Sequence, residues 1–241
     1  MKIFKVILIL AVIILSMAAL NAQTLKKEPQ LNFKKGKKIN VAFLVFDQVE
    51  SLDLNGPVDI FTKANHADTV YNLYTVSLTK KAVNAEGNVL KMNATYTIND
   101  APQADILVIP GAFPPVILQL SKEHPELIRW LQEQSKSSVV TMSVCTGALL
   151  LAEAGILNHK EATTHHQALD ILKKYPQVKI VEHVRYVQDG KILTTAGITS
   201  GFDGSLHLVD LINDKEVADR IAHMLIYNRN GNLDFMEIQA K

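Results

Sequence analysis

Three continuous apolar runs constrain this chain most: INVAFLVF (Ile39 to Phe46), ADILVIPG (Ala104 to Gly111) and SVVTMSV (Ser138 to Val144). A strand with one wet face alternates apolar and polar residues, whereas these runs do not alternate, so they read as strands buried on both faces. Between and after them come helical patterns. GPVDIFTKAN reads as a helix with Pro57 at an early position, and HPELIRWLQEQS, TGALLLAEA, HQALDILKKY, SGFDGSLHLVDLI and KEVADRIAHMLIY read as further helices. TGALLLAEA stops at Gly155, a natural left-handed cap. YNLYTVSLT reads as another strand, VNAEGNVLKMNATYTI as short strands around Gly87, and KIVEHVRYVQDGKILTTAG as two strands joined by Asp189-Gly190. Strands alternating with helices imply an α/β fold with a mostly parallel sheet covered on both sides. Such sheets bind ligands at the carboxyl ends of their strands, where Gly111 and Cys145 both fall.

Residues 1–22 have a basic start at Lys2 and Lys5, an apolar stretch and then small residues, which is the layout of a secretory leader. An uncleaved membrane anchor is the competing reading, because the stretch approaches the ~20 apolar residues a span requires. Residues 23–38 read as a basic, solvated linker and 39–241 as the folded domain, secreted or periplasmic and free of the membrane once the leader is removed. A net charge of +1 gives no global signal for nucleic acid.

Cys145 is the single cysteine. In an exported protein an unpaired thiol is either buried and inert or reactive. Its setting favours the second. A buried strand runs straight into it, Ser143 and Gly147 flank it two residues away, and a helix follows. That is the strand–turn–helix of a nucleophile elbow, which projects its nucleophile above the sheet. The start of the following helix is expected to favour a thiolate. No metal site is expected, since one cysteine and the adjacent His165 and His166 lack ligand spacing. No cofactor is expected either.

Several motifs together resemble the DJ-1/PfpI superfamily, in the branch holding isonitrile hydratase and the ligand domains of AraC-type regulators. They are VFDQVESLDLNGPVDIF, ADILVIPGA, SVCTGALLLAEAGIL, ATTHH, TTAGITSGFDGSLHLV and ADRIAHMLIYNRNGNLDF, spanning about Ile39 to Phe235. The resemblance implies a flavodoxin-like three-layer sandwich with a Cys elbow and a homodimer. It implies Cys145 as nucleophile, with Asp53 and Thr146 as its catalytic partners. Gly111 and Ala112 would hold a developing anion through their backbone N–H groups, and His165 would line the substrate site. The implied partner is a small molecule, not nucleic acid, and the implied reaction is hydration or hydrolysis of a small electrophile such as an isonitrile. The alternative is a non-catalytic ligand-binding or thiol-sensing domain, or a relic that keeps the fold without the substrate.

The departures from the family pattern matter as well. The usual Pro-Gly-Gly is Pro110-Gly111-Ala112, and the aromatic after His165 is His166. Thr146 stands where the family's proteases carry a histidine, which weakens a protease reading. DJ-1 itself sets a glutamate beside its cysteine, and the comparable region here is read as offering only Asp53 and Asp59. Each acid also has a structural reading. Asp53 would cap a helix starting near Gly56, Asp59 would be a first-turn acid and Asp203 would cap a helix with Ser200. His165 has one too, as a hydrogen-bonded histidine that orients its loop.

Overall fold

A computed structural model describes residues 31–229; the leader expected over 1–22 and the first part of the linker lie outside the described residues. The elements run β1 (Ile39–Leu44), α1 (Ser51–Ala67), β2 (Tyr71–Ser77), β3 (Val83–Asn84), β4 (Lys91–Met92), β5 (Tyr96–Thr97) and β6 (Ile106–Ile109). Then come α2 (Pro114–Glu123), α3 (Pro125–Ser137), β7 (Val140–Val144), α4 (Gly147–Glu153), β8 (Glu161–Ala162), α5 (Leu169–Leu172) and β9 (Lys179–Ile180). β10 (Tyr186–Asp189), β11 (Ile192–Thr195), α6 (Ser200–Ile212) and α7 (Lys215–Met224) close the series.

Seven strands form one sheet in the order β10-β11-β7-β6-β1-β2-β5. Every pairing in it is parallel except β10 with β11, the hairpin whose turn holds Gly190 at φ 63°. β6, β7 and β11 are fully buried along their length, as runs without alternation require. Successive residues of β7 point to opposite layers. Thr141 Oγ1 donates to Ser135 Oγ of α3 at 2.8 Å, while Met142 and Val144 meet Gly204 and Gly201 of α6. Helices therefore cover both faces, with α1, α6 and α7 on one and α2, α3, α4 and α5 on the other. This is the flavodoxin-like α/β sandwich that the sequence implied.

Several local readings change; among them, Lys179–Ile180 leaves the expected two-stranded hairpin and pairs with Glu161–Ala162. α1 starts at Ser51 rather than near Gly56, with Glu50 as its cap, so Pro57 lies inside the helix. There Pro57 withholds the N–H that the Asp53 carbonyl would otherwise receive. α2 has no counterpart in the sequence reading; Pro114 and Pro115 open it, and a fixed φ suits a first helical turn. α4 ends as expected: Gly155 takes φ 69°, its N–H reaches the Ala152 carbonyl, and Ile156 N–H reaches the Leu151 carbonyl. That pair of bonds is a Schellman closure.

One close approach sets the entry to α4. A Cβ on Gly147 would lie 2.2 Å from the Ile109 carbonyl oxygen and 2.9 Å from that of Pro110. The end of β6 and the start of α4 thus touch through backbone alone. Gly147→Ala is expected to destabilise the protein by at least about 2 kcal/mol, because the obstacle is main chain that cannot rotate away. Urea unfolding of the variant measures this, and a loss below about 0.5 kcal/mol would show that the elbow does not depend on that contact.

Candidate functional site

Cys145 sits at the turn between β7 and α4 with φ 54°, in the left-handed region that side chains other than glycine seldom occupy. Such a residue costs about 1–2 kcal/mol and needs its surroundings to hold it there. Both of its peptide groups are pinned. Its N–H donates to the Thr195 carbonyl at 3.1 Å, and its carbonyl accepts the Thr164 hydroxyl at 2.9 Å. β11 and the loop after β8 therefore fix the elbow from two sides.

Asp53 lies in the first turn of α1 and has no exposed surface. Its Oδ2 accepts the Gly111 N–H at 3.0 Å, while Oδ1 has no hydrogen-bond partner. Burial raises its carboxyl to about 7; the Gly111 N–H opposes the rise, and the charges of Glu50 and Glu86 add to it. The Cys145 thiol is buried and is pushed well above the ordinary thiol range, first by desolvation and then by the Asp53 charge, with the Thr146 N–H opposing. Thiol and carboxyl thus perturb each other, the Asp53 charge raising the thiol and the neighbouring thiol lowering the carboxyl, although Oδ1 forms no hydrogen bond of good geometry. The expectation that the start of α4 stabilises a thiolate is corrected here. A helix end contributes about 0.3–1 kcal/mol, which burial beside carboxylates outweighs.

The loop after β6 is closely fitted to this pair. Gly111 N–H holds Asp53, and Ala112 N–H donates to Thr146 Oγ1 at 2.9 Å. The Thr146 hydroxyl in turn donates to the Ala112 carbonyl at 2.6 Å. A Cβ on Gly111 would fall 2.4 Å from Thr146 Oγ1 and 2.8 Å from Asp53 Oδ2, so only glycine fits. The two N–H groups expected to hold an anion are therefore engaged by Asp53 and Thr146. The Thr146 N–H instead faces the sulfur.

His165 is half-buried beside Thr164, and its Nδ1 accepts the Gln167 N–H at 3.3 Å. Its ring lies 4.3 Å from that of His166, and burial followed by the His166 charge lowers its pKa, which keeps it neutral near pH 7. The other acids take roles different from those expected. Asp59 lies in the third turn of α1 and pairs with Lys63. Asp203 does not cap α6: it binds Arg185 at 3.0 Å and accepts the Tyr227 hydroxyl at 2.8 Å. Among the described residues no group of three or more His, Cys, Asp or Glu is placed to hold a metal ion.

Sequence reasoning missed two acids. Glu50 caps α1 by accepting the Leu52 N–H at 3.3 Å, and its own N–H donates to the Gly111 carbonyl at 2.8 Å. Glu86, in the β3–β4 hairpin, donates its N–H to the Val49 carbonyl at 2.9 Å. Its side chain meets that of Glu50, and the contact holds the Glu86 carboxyl above the usual range. The available signal was Glu50 three residues before Asp53, one helical turn away.

The raised carboxyl has a consequence for stability. An aspartate that ionises near 7 in the fold and near 3.8 when unfolded binds its proton more tightly in the native state. Stability is therefore lost as pH rises from about 4 to about 7, and the loss is then constant. Asp53→Asn removes this penalty. Its stability relative to wild type is expected to improve by up to about 4 kcal/mol between pH 4 and pH 8. Urea midpoints across that range test it, and a pH-independent difference would show that Asp53 is ionised in the fold throughout.

The DJ-1/PfpI family profile matches residues 39–211. The chain is 31% identical to the isonitrile hydratase of Pseudomonas putida over 189 residues, covering 78% of each protein. It is 28% identical to the HTH-type transcriptional regulator CdhR of Pseudomonas aeruginosa, covering 68% of this chain and about half (47%) of the regulator. Among solved structures, a ThiJ/PfpI family protein from Pseudomonas syringae matches with a TM-score of 0.70 at 23% identity, covering 88% of this chain and 86% of that one. An AraC family transcriptional regulator from Pseudomonas putida matches with a TM-score of 0.68 at 20% identity, covering 78% and 99%. Fold, motif order and profile agree: the chain belongs to the DJ-1/PfpI family.

Proposed function

We propose that this protein hydrates a small electrophile, an isonitrile by preference, through a covalent intermediate on Cys145. The observation that carries the proposal is the buried pair of a thiol and a carboxyl raised to about 7, in a chain 31% identical to an isonitrile hydratase. A carboxyl that titrates near neutrality takes up and gives back a proton in the working pH range. Asp53 as carboxylate accepts the thiol proton while the sulfur adds to the terminal carbon of R–NC. Protonated Asp53 then delivers that proton to the same carbon, leaving a thioimidate. Water adds to the thioimidate carbon, the C–S bond breaks, the thiol regains a proton and R–NH–CHO leaves. The Thr146 N–H steadies the sulfur, and Gly111 and Ala112 hold Asp53 and Thr146 in place.

The test is formamide production from an N-alkyl isonitrile. Cys145→Ala is expected to abolish turnover, and Asp53→Asn to lower kcat/KM by 10²-fold or more, about the worth of a positioned acid–base group. Wild-type turnover should fall as pH drops below about 7, where Asp53 is already protonated and cannot take the thiol proton, and should hold above it. Turnover unaffected by either substitution would remove the mechanism.

A second reading is favoured by one observation. The thiol is held protonated and the nearby N–H groups are satisfied internally, as suits a ligand domain like that of the matched regulators. Binding of an isonitrile or related small molecule without any product, retained in Asp53→Asn, would favour it. Export directed by residues 1–22 and a homodimer complete the proposal. An intact Met1 on protein purified from its host would overturn removal of the leader in favour of the uncleaved anchor, and a monomer mass by light scattering would overturn the dimer.

A further inference from the structure

The charges around the Cys145–Asp53 pair come from two segments and share one sign: Asp53 and Glu50 act on the sulfur, and Glu86 acts on Asp53. Asp53 projects from the first turn of α1, Glu50 stands at the cap of the same helix, and Glu86 comes from the β3–β4 hairpin. Val49 ties these segments together, since it bridges Ala85 of the hairpin on one side and Ala112 of the site loop on the other. The remaining walls are neutral. The loop after β6 offers backbone, Thr146 its hydroxyl, and the loop after β8 Thr164 together with His165, which burial keeps uncharged near pH 7. The backbone donors that would welcome a carboxylate at the elbow are used by Asp53 and Thr146. Asp53 Oδ1, fully buried and without a hydrogen-bond partner, presents one more acceptor. The same segments carry the exposed apolar side chains Leu52, Val89, Leu90 and Phe113.

We propose that Glu50 and Glu86 make the site selective by charge, so that it admits uncharged electrophiles with an apolar substituent and turns away carboxylates. An anionic substrate approaching the sulfur meets like charges from two separate segments, and the Gly111 and Ala112 N–H groups that would offset them are already engaged. An uncharged one meets neither obstacle, and the segments that carry the carboxylates also expose apolar side chains to a substituent. This deepens the reading of Cys145 as the reacting group and rests on it.

Two alkylating probes of similar size test it, iodoacetamide (neutral) and iodoacetate (anionic). In either case the sulfur displaces iodide, a C–S bond replaces the C–I bond, and the thiol proton passes to buffer. Cys145 is the only cysteine, so the mass gain of the intact protein reports this site alone. Rates are measured at pH 8 and low salt for folded wild type, Glu86→Gln and the double variant Glu50→Gln with Glu86→Gln. The urea-unfolded chain gives the intrinsic preference of the thiol. The folded wild type is expected to prefer iodoacetamide roughly tenfold more than the unfolded chain does. That excess should shrink in Glu86→Gln, whose exposed side chain is replaceable without harm to the fold. It should shrink further in the double variant, where Asp53 is the carboxylate that remains, and in about 1 M salt. Folded wild type that alkylates readily with the unfolded preference, or an excess unchanged by the substitutions, overturns charge selection while leaving Cys145 as the nucleophile. A folded chain that neither probe alkylates overturns both.

Discussion

A carboxyl group with no exposed surface, held through one oxygen by one backbone N–H, is the constraint around which this molecule is arranged. Burying an ionised carboxylate with so little compensation costs several kcal/mol, and the group answers by keeping its proton to about pH 7. The consequences are geometric as well as electrostatic. Asp53 reaches the Gly111 N–H only because α1 starts early enough to place it in the first turn. Gly111 must lack a side chain, because a Cβ there would collide with Asp53 and Thr146 together. The helix start, the loop after β6 and the elbow are therefore fitted to one another through a group that lowers stability at neutral pH.

The elbow carries the second such cost. Cys145 is held in a left-handed conformation by bonds to β11 and to the loop after β8, elements that follow it in the chain by many residues. Strain at a reactive residue persists only where the surroundings over-determine it. Here the sheet supplies one restraint and the Thr164 hydroxyl the other. The glycine after Thr146 lets α4 start against the bare backbone of β6, so the sulfur stands at the end of the sheet instead of inside a helix.

Much of this is legible in the sequence, for identifiable reasons. Apolar runs without alternation give the buried strands, Asp189-Gly190 gives the hairpin, and the small residues around Cys145 give the elbow, because each feature is local. What fails is what depends on contacts between distant segments. Pro57 reads as a helix start because proline suits a first turn, yet packing against α6 keeps it inside α1. Asp203 sits where a cap is expected, but Arg185 and Tyr227 claim it from other elements. The ionisation of Cys145 is the sharpest case. The helix that follows it is visible in the sequence and argues for a thiolate, whereas burial and the carboxylates of Asp53 and Glu50, about ninety residues earlier in the chain, reverse the sign.

That reversal bears on the kind of chemistry the pair suits. A thiolate stabilised in advance would react with many electrophiles and oxidants, whereas a thiol kept protonated becomes nucleophilic only as its proton moves to Asp53. The carboxyl then holds that proton within reach of the carbon the sulfur has attacked. An electrophile whose single carbon accepts both the sulfur and the proton makes full use of this arrangement, and the terminal carbon of an isonitrile is such a centre. A carbonyl carbon is not, since its proton must go to the neighbouring oxygen, where the Gly111 and Ala112 donors that would steady the charge are already engaged. The proposed preference for isonitriles over aldehydes thus follows from where one shared proton can travel.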